Sequence, residues 1–279
     1  MDDVQTLVAG RGLVEAPRWH DDRVTFSDWS AGEVLAHDPR TGTLDVLARE
    51  PSLPLCTDWL PDGRLLLVSN NGPRLLVRSP DGNVALHAEL DGDASLTWND
   101  VVVHPRGQAY VNGGSLKGGT EGTDGIVAVV APDGTVRTAA GGFAFPNGMA
   151  VTPDGRTLLV ADSWAQEIVA FDVSPDGGLS GRRTWASVPE HPDGICVDAA
   201  GAVWFADVGT GRCVRVAEGG RVLGAVALDR GCFACVLGGA ERRTLFVTAA
   251  EWLGWERGVA PGTGILAAVD VEVPGAGWP

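Results

Sequence analysis

The sequence predicts an all-β protein, a six-bladed β-propeller closed by its N-terminal strand. Three observations lead there: a hairpin signature that occurs six times, a repeat spacing of about 45 residues, and a composition rich in turn formers. The turns read His20-Asp21-Asp22-Arg23, Pro61-Asp62-Gly63-Arg64, Pro105-Arg106-Gly107-Gln108, Pro153-Asp154-Gly155-Arg156, Ala199-Ala200-Gly201-Ala202 and Gly239-Ala240-Glu241-Arg242. Successive turn residues lie 40, 44, 48, 46 and 41 positions apart, the period of a unit built as one small antiparallel sheet. With 39 Gly, 17 Pro and no long helical period in 279 residues, the chain has the makings of many short strands.

The fourth copy displays the unit most plainly. Residues 148–152 form a first short apolar strand up to the Pro153-Asp154-Gly155 turn, and residues 157–161 return as a second. A break at Asp162-Ser163-Trp164 precedes a third strand over residues 167–173, and Pro175-Asp176-Gly177 precedes a fourth near residues 183–187. The same pattern fits the other copies, with fourth strands at residues 44–48 and 84–88 in the first two. The last copy supplies residues 245–249 and 264–271 and has no room for a fourth strand. Residues 4–9, Val-Gln-Thr-Leu-Val-Ala, resemble the other fourth strands and are expected to fill that place, which removes a free sheet edge. One domain spanning residues 1–279 follows.

Composition narrows the function classes. No stretch approaches the roughly 20 apolar residues of a membrane span, and Met1-Asp2-Asp3 lacks the basic start of a signal peptide. A net charge of −15 disfavours a phosphate backbone as partner. The expectation is a soluble cytoplasmic protein that binds a small molecule, with no nucleic acid and no membrane. Five cysteines make an odd count for a disulfide framework, and Cys56, Cys196, Cys213, Cys232 and Cys235 read as buried thiols. Cys232 and Cys235, three apart on a strand, are expected on opposite faces. The glycine-rich insertion over residues 113–125, around Lys117, lacks the order of a phosphate loop and reads as a lid at the mouth of the propeller.

One repeat position carries chemistry. Seven residues before Asp22, Asp62, Arg106, Asp154, Ala200 and Glu241 stand Glu15, Leu55, Asn99, Asn147, Asp193 and Ala234. First strands of a propeller line its channel, so equivalent positions on them converge at one depth. Glu15, Asn99, Asn147 and Asp193 would then face one another as two carboxylates and two amide oxygens. This hard-oxygen set suits one divalent ion: Ca²⁺ first, then Mg²⁺, Mn²⁺ or Fe²⁺, with Zn²⁺ lacking its usual His or Cys. Turn capping and channel-water binding are the alternative roles for such residues.

The segments that carry these residues, Val14-Glu15-Ala16-Pro17-Arg18-Trp19, Trp98-Asn99-Asp100, Phe145-Pro146-Asn147-Gly148-Met149-Ala150 and Pro192-Asp193-Gly194-Ile195-Cys196-Val197-Asp198, resemble the signature segments of the regucalcin and gluconolactonase (senescence marker protein) family. The resemblance spans nearly the whole chain. It implies a six-bladed propeller that hydrolyses lactones with one bound divalent metal, Glu15, Asn147 and Asp193 being direct ligands and Asn99 touching substrate or metal. One departure stands out: the sugar lactonases resemble Arg-x-Asn-Asp-Gly where this chain has Thr97-Trp98-Asn99-Asp100-Val101. The arginine for sugar hydroxyls is missing. Trp98 adds an apolar surface, and Trp29, Trp164 and Trp252 fall in loops at the same end, so a less polar substrate is expected, with Thr97, Trp98, Asn99 and Trp164 as substrate contacts.

Asp193 is the expected catalytic base for the attacking water, with His191 as a possible assistant and Asp28, Asp162, Asp207, Glu121 and Glu251 as other acids at that end. Two other functions stay open. One is a metal-free or non-hydrolytic enzyme on a strictosidine-synthase-like propeller, and the other is a non-enzymatic ligand-binding propeller.

Overall fold

Short apolar runs, each cut by Pro, Gly or Asp, leave no helix-length segment, and the computed structural model is accordingly made of strands. It describes residues 4–90, 96–114 and 124–277. After β1 (Gln5–Arg11), the first blade comprises β2 (Val14–His20), β3 (Arg23–Asp28), β4 (Glu33–His37) and β5 (Leu44–Arg49). The second comprises β6 (Thr57–Trp59), β7 (Leu65–Ser69), β8 (Arg74–Arg78) and β9 (Val84–Glu89), and the third β10 (Thr97–Val103), β11 (Ala109–Gly114), β12 (Gly125–Val130) and β13 (Val136–Phe143). The fourth comprises β14 (Pro146–Val151), β15 (Thr157–Asp162), β16 (Glu167–Val173) and β17 (Leu179–Ser187), and the fifth β18 (Ile195–Val197), β19 (Val203–Asp207), β20 (Arg212–Val216) and β21 (Val222–Ala227). The sixth joins β22 (Gly231–Gly238), β23 (Thr244–Ala250) and β24 (Gly264–Asp270) to β1.

Each sheet is antiparallel and four-stranded, and the innermost strands β2, β6, β10, β14, β18 and β22 touch in a closed circle, the last against the first. The expected closure is present: β1 runs antiparallel to β24, with Gln5 opposite Ala268 and Val8 opposite Leu266. Five of the six repeat turns close with the same backbone bond. Gly155 at φ +67° donates to Thr152 O at 2.8 Å, and Gly63, Gly107 and Gly201 make the same bond. The first turn instead places both Asp21 and Asp22 at positive φ, the two-residue hairpin form.

Burial follows from this layout. Six apolar clusters occupy the six interfaces between adjacent blades, while the fourth strands are mostly exposed or half-buried, each with one or two buried residues near its end. Stacked Trp19 and Phe246, 5.4 Å apart, seal the interface between the last blade and the first. Residues 274–277 cross the far end of the channel, bonded through Ala199 N to Pro274 O, Gly275 N to Arg242 O and Ala276 N to Val197 O. Among the described residues no helix is long and apolar enough to cross a membrane.

If the N-terminal strand holds the ring shut, a charge in its buried position must loosen the whole molecule. Val8 lies in the cluster that contains Phe246 and Leu266. Val8→Asp is expected to lower the unfolding free energy by about 3 kcal/mol, read as a shift of the urea midpoint, whereas Gln5→Asp on the exposed side should change it little. Equal midpoints for both variants would refute the clasp.

Candidate active site at the channel mouth

The ladder between first and second strands is broken in the same manner in four blades. Glu15 pairs with Ser27 and Arg18 with Thr25; Trp98 pairs with Gly113 and Val101 with Val111; Pro146 pairs with Asp162 and Met149 with Val160; Cys232 pairs with Ala249 and Ala234 with Thr248. Each inner strand thus carries one residue more than its partner, a β-bulge. The bulge releases the residues within it from strict alternation and turns them toward the axis. At Glu15 it also strains the chain: Ala16 has φ +50°, and its N–H donates to Glu15 Oε2 at 2.8 Å, which fixes the carboxylate.

In the fifth blade Asp193 precedes a first strand of three residues and is held by backbone bonds instead. Its N–H donates to Ala206 O at 2.9 Å, and its carbonyl accepts from Gly148 N at 3.2 Å. Glycine is required at that contact, because a Cβ on Gly148 would lie 2.5 Å from Asp193 O and 2.6 Å from Gly194 Cα.

Glu15, Asn99, Asn147 and Asp193 line one cavity of about 340 Å³ at the mouth of the channel. Asn99 Nδ2 donates to Asn147 Oδ1 at 3.0 Å, and Asn147 Nδ2 donates to Ser163 Oγ at 3.3 Å. Ser163 in turn donates to Pro192 O at 2.7 Å, tying the fourth blade to the segment that carries Asp193. Beneath this floor lies an ion cluster: Arg18 Nη2 is 3.1 Å from Asp100 Oδ1, and Arg18 Nε is 3.5 Å from Asp58 Oδ1. Asp58 further accepts from Trp59 N at 2.8 Å and Val103 N at 2.6 Å, and Asp100 from Met149 N at 3.0 Å.

The acids outnumber the base, and their proton affinities reflect it. Burial, reinforced by Asp100, pushes the Glu15 carboxyl up to about 8, against the pull of the Ala16 N–H and Arg18. Asp193 opens onto the cavity, yet the surrounding protein removes most of its water, and with Glu15, Asp100 and Asp207 nearby it is pushed well above the carboxylate range. Burial pushes Asp58 up to about 6 despite Arg18. Among the described residues no three His, Cys, Asp or Glu side chains group so as to hold a metal. A cation on this floor would therefore use the Asn oxygens together with the two carboxylates, a donor set suited to a hard ion.

Residues 13–251 match the family described as the SMP-30/Gluconolactonase/LRE-like region. The chain belongs to that family. The pentonolactonase XacC of Haloferax volcanii is 30% identical over 245 residues, covering 85% of this chain and 81% of the relative. The 6-deoxy-6-sulfogluconolactonase of Pseudomonas putida is 26% identical over 281 residues, covering 96% and 94%. Among solved structures, a calcium-binding regucalcin of Agrobacterium tumefaciens superposes with a TM-score of 0.83 at 22% identity, covering 98% of this chain and 95% of the other.

This SMP-30/gluconolactonase chain arranges its remaining candidates unevenly. Trp164 lines the cavity, beside Trp29 and Trp252. Trp98 does not: it is 1% exposed, packed into the cluster between the second and third blades, with its backbone bonded to Asn70. The bulge explains the correction, since it directs Asn99 toward the mouth and leaves Trp98 facing the blade interface. Thr97 is half-buried and is not among the residues that line the cavity. Asp28, Asp162 and Asp207 are buried caps that accept loop N–H groups of Gly12 and Ala31, Ala144 and Phe145, and His191 and Thr210 respectively. His191 does line the cavity, its Nδ1 3.0 Å from Ser163 O. Cys232 and Cys235 share one buried cluster with Cys196 and Cys213, because the bulge between them restores a common face. The expected lid falls largely on residues 115–123, and with Glu121 lies outside the described residues.

Sequence reading missed Arg18, Asp58 and Asp100 beneath the floor, and Phe145 and Trp255 in the cavity wall. A signal for the first two was present: each stands four residues before its turn residue, one layer below the seven-residue position. The close approach at Gly148 is testable. Gly148→Ala is expected to cost about 2 kcal/mol of stability by overpacking, measured as a lowered urea midpoint, while Gly224→Ala, where an added Cβ meets nothing within 4 Å, serves as the control. Matching midpoints would show that the fourth and fifth blades can separate freely.

Proposed function

We propose that this protein is a divalent-metal-dependent hydrolase of lactones or related esters, with Glu15, Asn147, Asp193 and Asn99 holding the ion. The observation that carries the proposal is the meeting of these four side chains, each from a different blade, on the floor of one cavity. The lactonase names of the curated relatives support the reaction class, and the calcium-binding regucalcin supports Ca²⁺ as the first ion to try. The raised proton affinities of Glu15 and Asp193 fit a site whose carboxylates lack a positive partner of their own.

A divalent ion in such a site supplies Lewis acidity to the substrate carbonyl and lowers the pKa of water. The protein groups do the rest. Asp193 takes a proton from the attacking water as the water oxygen bonds to the carbonyl carbon; the carbon–oxygen bond of the ring then breaks, and the proton passes to the leaving alkoxide, giving a hydroxy acid. Asn99, which lines the cavity, orients the substrate oxygen, and Glu15 and Asn147 keep the floor in register. The aromatic wall leaves the polar groups of the cavity concentrated on this floor. Its residues support a substrate less polar than a sugar lactone.

Metal analysis of the native protein, followed by a lactone and aryl-ester hydrolysis screen with and without chelator, tests the reading. Turnover should vanish in chelator and return with added divalent ion. Glu15→Gln and Asp193→Ala should each lower kcat/KM at least a thousandfold with circular dichroism unchanged. Activity that persists in a metal-stripped sample would favour a metal-free propeller enzyme.

The pH dependence has a defined sign. A carboxyl whose folded pKa is raised binds protons more tightly in the native state, so the metal-free protein loses stability as pH climbs from the ordinary 4.5 of Glu15 toward about 8. The melting temperature of the chelated protein should fall across that interval, and added Ca²⁺ should restore it most at the upper end. A melting temperature that rises with pH, or no Ca²⁺ effect, would contradict the assignment.

A further inference from the structure

Above its polar floor, the cavity is walled mainly by rings from the fourth and sixth blades, with Trp29 of the first. Phe145 and Trp164 of the fourth blade meet Trp255 of the sixth at 6.3 Å and 5.2 Å between ring centroids, and Trp252 stands 5.4 Å from Trp255. These contacts reach over the fifth blade. Trp255 is 66% exposed, a large apolar surface left in water at the cavity rim. It rides on a small ordered hairpin, closed by the Trp252–Val259 bridge and by bonds from Leu253 N to Gly258 O and from Ala260 N to Glu251 O. The ring is therefore presented in place before any ligand arrives, which reduces the entropy lost on binding.

Charge at the wall is one-sided. Among the described residues no Arg or Lys lines the cavity, whose ionisable groups are Glu15, Asp193, Asp207 and His191. Arg18 lies below the floor and is occupied by Asp58 and Asp100. An anionic substituent against this wall would find no Arg or Lys among the described residues to receive it. A row of hydroxyls would face indole and phenyl surfaces, and each hydroxyl buried without a partner costs about 1–3 kcal/mol.

Resting on the lactone-hydrolase reading, we infer that the substrate is an uncharged lactone carrying an aryl or similarly flat apolar substituent, its carbonyl on the Asn99–Asp193 floor and its substituent against Trp164, Trp252 and Trp255. A cavity of about 340 Å³ is within the range of small-molecule sites and accommodates such a molecule. Trp255 is the specificity-determining residue of the wall. Burial of a ring against it should contribute about tenfold in kcat/KM.

The test compares δ-valerolactone, the same ring carrying a phenyl group on a carbon away from the ring oxygen, its carboxyphenyl counterpart, and D-glucono-δ-lactone, all with the Ca²⁺-loaded protein. The leaving oxygen stays an alkoxide throughout, and each kcat/KM is divided by the same lactone's uncatalysed hydrolysis rate, so the inductive effect of the sugar hydroxyls does not enter the comparison. The phenyl lactone should exceed the bare and the polyhydroxylated rings at least tenfold in kcat/KM, the carboxyphenyl form should fall well below the phenyl one, and Trp255→Ala should cut the phenyl-to-bare ratio about tenfold. Because Trp255 is mostly exposed, that variant is expected to fold. Equal or better hydrolysis of the bare or sugar lactone overturns the inference and leaves the lactonase reading standing. If no lactone is hydrolysed, the reaction class fails, and tryptophan fluorescence titration with the non-hydrolysable phenyl and bare lactams decides the rest: tighter phenyl binding upholds the binding preference, and equal binding overturns it.

Discussion

Four carboxyl groups, those of Glu15, Asp58, Asp100 and Asp193, converge near the axis of the ring, with the Arg18 guanidinium among them. This crowding is the constraint from which the rest of the site follows. A propeller brings its innermost strands together, and whatever those strands carry at one depth must share one poorly hydrated space. The lower pair, Asp58 and Asp100, is satisfied by Arg18 and by backbone N–H groups. The upper pair, Glu15 and Asp193, has the Ala16 N–H and the Asn147 amide for neutral partners and otherwise repels itself. Breaking a buried ion pair typically costs about 3–5 kcal/mol, so the lower cluster acts as a foundation. The upper one lines the open cavity.

Much of this was legible in the sequence because the repeat has a fixed phase. Counting back from six turns places Glu15, Asn99, Asn147 and Asp193 together without coordinates, and the short final copy identifies β1 as the closing strand. Family membership, reached independently from residues 13–251, agrees with the fold so derived. The misreadings share a cause. Trp98 was assigned to the substrate as the neighbour of Asn99, and simple alternation along a strand set Cys232 opposite Cys235; in both places a bulge adds a residue and resets the faces. Bulges leave little compositional trace, and these are marked by the register of the partner strand alone.

The apolar wall was half visible. Trp29, Trp164 and Trp252 fall at the expected loops, but Trp255 sits in the long connection between β23 and β24, where no period applies. Its importance depends on rings from the fourth blade, distant in sequence and met only in the folded ring. The acids ending β3, β15 and β19 illustrate the converse: Asp28, Asp162 and Asp207 have the composition of catalytic groups, and their oxygens are spent holding the loops that shape the mouth.

The crossing of the channel by residues 274–277 bears on traffic through the molecule. Below the floor, the axis retains two voids of about 20 Å³ each, both lined by Arg18, Ile195 and Cys235 and each large enough for a single water. The propeller is thus a sac and not a tube. A reactant and whatever is made from it pass the same doorway in opposite directions, so the vestibule must welcome one and shed the other. Among the described residues the wall of that doorway carries no Arg or Lys, so no side-chain cation there holds back a product that has become negatively charged.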